Sequence, residues 1–157
     1  MSPPDPRSLQ TLLEREQNTR DEAALALRQA QAQQGQAKGQ VDQLAAYRAD
    51  YVDRWSLRFS QTATIEILQC YRSFMQRLDQ ALAQQKGLFG RAEATTVACR
   101  AALLDAERRV AAVQKLLERR AGDQRLVLQR SEQRQTDEAA QRAGWANNRL
   151  SCFSSLH

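Results

Sequence analysis

Residues 40–55, QVDQLAAYRADYVDRW, set Val41, Leu44, Tyr47, Tyr51 and Trp55 at steps of three and four, with no proline and no internal glycine. Such spacing draws a single band along one side of a helix. The band is too rich in large rings for an ordinary solvated face. It packs on another helix, waits for a partner, or does both.

Working outward toward the N-terminus, the alternation of three and four continues without a slip. It runs through Leu9, Leu13, Glu16, Arg20, Ala23, Leu27, Ala30, Gln34, Ala37, Val41, Leu44, Arg48, Tyr51 and Trp55, and ten of those fourteen positions are apolar. That is one seam of a long coiled-coil helix. Asp5 followed by Pro6 is a good start for it, a side-chain acceptor at the cap and a ring at the first helical position. The Ser and Thr residues of SLRFSQTAT, 56–64, prefer caps and turns and end it.

A second seam begins at once: Leu68, Tyr71, Met75, Leu78, Leu82, Gln85, Phe89, Ala92, Thr96, Cys99, Leu103, Ala106, Val110, Val113 and Leu117. Beyond it the same register reads Arg120, Gln124, Val127, Ser131 and Arg134, and the stripe dies while helix-favouring composition continues. If the chain reverses near Thr62, residues whose numbers sum to about 123 face one another in an antiparallel pair. Leu117 then lies opposite Arg7, so the stripe stops where its partner runs out. The expected fold is all-α: a long antiparallel two-helix coiled-coil hairpin with a projecting C-terminal helical arm. Helix one is placed at about 7–59, the connection at about 60–64 and helix two at about 65–145, as one coiled-coil domain between a disordered 1–6 and a flexible tail, 146–157. The paired length is about 75 Å and the arm about 40 Å at the helical rise.

The same register gathers Gly35, Gly39, Gly87 and Gly90 at one height. Glycine inside a helix costs about 1 kcal/mol against alanine, so a close approach, a kink or a flexible joint is expected there. Polar or alanine-filled seam positions near Glu16, Arg20 and Gln34 predict a loosely held half toward the termini.

Composition agrees with long helices. Gln, Ala, Arg and Leu dominate, aromatics are 6%, and glycine and proline are few at 6 and 3. No apolar run approaches the ~20 residues of a membrane span, and the N-terminus lacks a secretion-signal pattern. The formal charge of +5 comes from 23 basic residues, but acids are interleaved with them, as in ERRVAAVQKLLERR at 107–120. Nucleic-acid binders segregate that charge into a patch, so mixed signs point to solvated coiled-coil flanks. Cys70, Cys99 and Cys152 with the lone His157 match no zinc spacing. No phosphate loop, nucleophile elbow or triad is present, and pairs such as Asp105 with Arg109 have the spacing of solvated helical ion pairs. Neither a cofactor nor enzymatic chemistry is expected.

What remains is surface. Tyr47 and Phe74 fall outside the two seams yet at equal height. With Gln40, Leu44 and Tyr51 on one helix and Leu78, Ala81 and Gln85 on the other, they form a two-helix apolar ledge. Position alone leaves two readings open. The rings widen the helix interface near the turn, or they mark an interaction site, as exposed apolar patches do. On the second reading, alanine at both Tyr47 and Phe74 removes binding and spares helicity.

At these residues the chain resembles the FliJ family, the stalk and general chaperone of the bacterial flagellar type III export apparatus. LQTLL at 9–13, DEAA at 21–24, LAAYRADY at 44–51, YRSFMQRLDQAL at 71–82 and TDEAAQRA at 136–143 fit the family in order and spacing. The resemblance implies a cytoplasmic antiparallel coiled coil, peripheral at the inner membrane through protein contacts. The hairpin reading itself predicts an elongated monomer, and the interleaved charges predict no nucleic-acid binding. The partners implied by the resemblance are the export ATPase hexamer, which receives the end carrying both termini, the cytoplasmic domain of the export-gate membrane protein, and export chaperones. By motif, the gate-facing residues are Gln40, Leu44, Tyr47, Tyr51, Phe74, Leu78, Ala81 and Gln85. Gln85 stands where a ring or basic group is expected, and Ala139 where an aromatic is. For the ATPase, solvated arginines are the candidates: Arg15, Arg20, Arg119, Arg120, Arg125, Arg130 and Arg134. The competing readings are the injectisome counterpart, an Arg-rich coiled coil binding nucleic acid or anionic membrane, and a structural homodimeric coiled coil.

Overall fold

The computed structural model describes residues 5–61 and 63–154. Expectations for residues 1–4, for the turn centre at Thr62 and for residues 155–157 lie outside the described residues. Two helices make the fold, α1 (Pro6–Phe59) and α2 (Ile65–Ser154), packed on each other as a hairpin. No strand is present among the described residues.

The ends of these helices follow from local chemistry. Asp5 caps α1: its Oδ1 accepts from the Arg7 N–H at 3.4 Å, and its carbonyl accepts from the Ser8 and Leu9 N–H groups at 2.9 and 3.3 Å. Three N–H donors of the first turn are thereby answered. At the other end Ser60 Oγ turns back to the Leu57 carbonyl at 2.7 Å, and the Gln61 N–H closes a tighter turn on Arg58 at 3.1 Å. Hydroxyl side chains that compete for backbone groups release the chain from the helix there. α2 restarts with the Thr64 carbonyl accepting from Leu68 at 3.2 Å, and Glu66 lies in its first turn, where a negative charge meets the positive end of the helix dipole.

The far end of α2 differs from expectation. Gly144, Asn147 and Asn148 do not stop it near Trp145; the helix runs on to Ser154. None of the glycines has a positive φ, so Gly144 takes an ordinary helical conformation and not the left-handed one that ends helices. Glycine and asparagine lower helix propensity by only about 0.7–1 kcal/mol against alanine, and no proline follows to enforce a stop.

The two seams are where periodicity puts them. All fourteen seam positions of α1, from Leu9 to Trp55, are buried or half-buried. In α2 the same holds from Tyr71 to Leu117, and Leu68 alone of that seam is exposed. Between two helices burial is shallow, and the residues that achieve it are mostly small or aliphatic: Ala30, Leu78, Ala106 and Val110 in one stretch, Leu9, Leu13 and Val113 in another.

The sequence reading draws residues 7–145 as one coiled coil; in the structure that length falls into two compact units. One is Glu14–Val110, a hairpin closed by the connection. The other joins Met1–Leu13 with Ala111–His157. Within that second unit Leu9, Leu13 and Val113 are buried, Leu117 and Arg120 are half-buried, and every residue from Asp123 to Ser154 is exposed. α2 therefore has a C-terminal arm with no covered face.

Candidate functional site

Near the connection, the Glu14–Val110 unit carries a continuous array of rings. α1 supplies Tyr47, Tyr51, Trp55 and Phe59 at steps of four, which stack along one face. α2 supplies Tyr71 and Phe74. Tyr51 is the hub: its ring centroid lies 4.4 Å from Phe74, 5.8 Å from Trp55, 5.9 Å from Tyr71 and 6.2 Å from Tyr47. Tyr71 also meets Trp55 at 5.8 Å and Phe59 edge-on at 5.2 Å. Ring pairs at these separations add about 0.5–1.5 kcal/mol each beyond area burial, so the array both closes the hairpin and fixes its register. The Arg58 guanidinium lies over the Trp55 ring at 5.7 Å, extending the array on its outer side.

Tyr47 is the ring that stays open to solvent, 51% exposed, although its edge reaches Phe74 at 6.4 Å across the hairpin. The register inferred for residues 47 and 74 is thus met directly. Of the other ledge residues, Gln40 is exposed, while Leu44, Tyr51, Phe74, Ala81 and Gln85 are half-buried. Leu78 is only 7% exposed, so it supports the ledge from inside and offers little surface. Gln85 has its side-chain Oε1 buried without a hydrogen-bond partner, which leaves a polar atom uncompensated at that end.

Sequence reasoning missed the ion pair beside the ledge. Arg48 Nε donates to Asp79 Oδ1 at 2.6 Å and joins the two helices. The hydrogen bond from Arg48 holds the Asp79 carboxyl below its ordinary range, and the same bond raises Arg48. Arg48 occupies a seam position and Asp79 flanks Leu78, about one turn beyond the residue that the count sets opposite Arg48, so opposite charges within reach of a long side chain were the available signal. Phe59, read only as the last residue of helix one, was likewise not singled out, although it continues the four-residue step of Tyr51 and Trp55.

The candidate arginines divide between the two units. Arg15 and Arg20 belong to Glu14–Val110, where Arg20 is held by Asp21 at 2.9 Å. Arg119, Arg125, Arg130 and Arg134 are exposed on α2 in the other unit, and Arg120 is half-buried there. The pairing expected at helical spacing occurs between Arg109 and Asp105 at 2.9 Å. No group of three or more His, Cys, Asp and Glu residues able to hold a metal occurs among the described residues. Among the described residues no helix is long and apolar enough to cross a membrane.

Compared with known families, residues 6–149 match the model of the flagellar FliJ protein. No curated protein matches the chain.

Proposed function

The chain belongs to the FliJ family of flagellar type III export components, and we propose that it acts there as a non-enzymatic stalk that binds the export ATPase ring and, through the ledge, the export gate. The observation that carries this reading is the half-exposed Tyr47 held on a rigid ring array. An aromatic side chain fixed by its neighbours loses little conformational freedom on binding, which is what an interface anchor requires. Gln40, Leu44 and Ala81 extend its surface along both helices, and Leu78 keeps the two halves of the ledge in register.

The arm of α2 supports the ATPase half of the proposal. It is a helix with both charge signs on it and no packed face of its own. Solvated arginines such as Arg125, Arg130 and Arg134 form weak pairs that break and re-form easily, suited to a slender element working inside a ring. Export chaperones are further partners on this reading. The chain works at the cytoplasmic face of the inner membrane, held there by protein contacts as a monomer.

The test separates the two contacts. Full-length chain is mixed with its cognate export ATPase and, separately, with the cytoplasmic domain of the gate protein. Tyr47→Ala is expected to weaken gate capture by about tenfold or more, the loss expected of an interface anchor, while ATP hydrolysis is stimulated as by the unchanged chain. Phe74→Ala is a poorer probe, because Phe74 touches Tyr47 and Tyr51 and its loss also loosens the hairpin. Undiminished gate capture by Tyr47→Ala would remove the ledge from the proposal, and absence of any ATPase stimulation would remove the stalk.

A further inference from the structure

The glycines of the hairpin are not there to let helices touch. Gly35 and Gly39 on α1 and Gly87 and Gly90 on α2 all have ordinary helical backbone, and a Cβ added at any of them would meet nothing within 4 Å. Neither a close approach nor a left-handed turn calls for glycine at these positions. What glycine does contribute is a weaker helix, through greater backbone freedom when the helix opens. The four lie at one height: counted from the Arg48–Asp79 pair, Gly39 is nine residues along α1 and Gly87 eight along α2.

Other weaknesses gather in the same layer. Gln85 keeps a buried Oε1 with no hydrogen-bond partner, a cost that local opening to water relieves. The seam of α1 there is filled by Gln34 and Ala37, which are polar or small. One turn further, Thr95 and Thr96 turn their hydroxyls onto the Arg91 and Ala92 carbonyls at 3.0 Å each, a back-bond that bends and slightly weakens helices. Thr96 fills a seam position, 4% exposed, where a leucine would bury far more apolar surface.

We propose that residues 34–39 together with 85–96 form a joint built into the hairpin, opening or bending locally while the ring array stays closed. Above the layer the helices are locked by ring contacts and by Arg48–Asp79. A two-helix hairpin has no third element to brace a weak layer, so loss of helix on one side is felt on the other. The joint lets the aromatic end change direction without melting, and it holds whatever the ledge binds.

Hydrogen exchange measured residue by residue on the full chain tests this. Amides of 34–39 and 85–96 are expected to exchange about tenfold faster or more than those of 47–55 and 71–79, reflecting local opening below the global limit. The variant carrying Gly35→Ala, Gly39→Ala, Gly87→Ala and Gly90→Ala fits without a clash, since each new methyl enters open space. It is expected to slow exchange in the layer by about tenfold or more, as improved helix propensity predicts, and to leave the ring array nearly unchanged. Exchange in the unaltered layer as slow as in the array would overturn the joint. So would a variant that slows the whole hairpin uniformly, because the glycines would then tune overall stability alone.

Discussion

The ring array and the C-terminal arm are stretches of the same two-helix protein, and each is held in a different way. In the array, Tyr51 alone touches four other rings, and an ion pair spans the helices beside it. Along the arm, Trp145 and Phe153 are 73% and 80% exposed, and Arg142 pairs with Glu138 at 3.5 Å and Ser151 Oγ donates to the Asn148 carbonyl at 3.0 Å, both within one turn of the same helix. Helical conformation in the first follows from packing; in the second it follows from propensity and neighbours three or four residues away. Helices draw most of their stability from a packed face, so the arm is held only by local propensity and short-range pairs.

The sharpest way to break this contrast is to cut into each region with one alanine. Tyr51→Ala is expected to cost about 3 kcal/mol, in the range for large aromatic truncations. Trp145→Ala should stay within about 0.5 kcal/mol, as for surface changes away from packed features. Urea unfolding of both variants checks the pair, and equal losses would show that the arm is packed after all. Next in size is protease sensitivity. Trypsin should cleave after Arg125, Arg130 or Arg134 about tenfold sooner than after Arg48 or Arg77, because unpacked helix opens at little free-energy cost.

A smaller effect concerns pH. The Asp79 carboxyl is depressed by its hydrogen bond from Arg48, so its folded value lies below its unfolded one. Its contribution to stability is complete above the unfolded value of about 4 and is lost as pH falls through the depressed folded value. Acid titration of the unfolding midpoint should therefore show a drop below pH ~4 that Asp79→Asn reduces. The smallest expected change is at Glu138→Gln on the arm. Losing its partnership with Arg142 should cost about 0.3 kcal/mol of helix and be screened by salt, visible as a slight fall in helical circular dichroism at low ionic strength.

Much of the array was legible before any coordinates. Tyr47 and Phe74 were brought together by counting through a single reversal, because a coiled-coil seam repeats regularly enough for the count to survive from the turn outward. Arg48–Asp79 was not found, since the count through the turn sets Arg48 nearer Met75 than Asp79, and only side-chain geometry shows the guanidinium reaching one turn further along α2. The glycines show the opposite limit. Their shared height follows from the sequence, but three readings stayed open until the space around each Cβ was known to be empty. The end of α2 went astray because Gly144, Asn147 and Asn148 are weak helix formers that stop a helix only when the backbone turns left-handed, which none of the glycines does.

By itself the sequence determined the two helices, the faces they bury and the point where the chain doubles back, because period and propensity are local and repeat many times over. Only tertiary structure decided which side chains of those faces are load and which are surface. Leu78 is inside and Tyr47 is half outside although both belong to one ledge. Helical spacing gives the side on which a residue stands; how far a neighbouring ring or aliphatic chain covers it depends on shapes that meet only after the hairpin has closed.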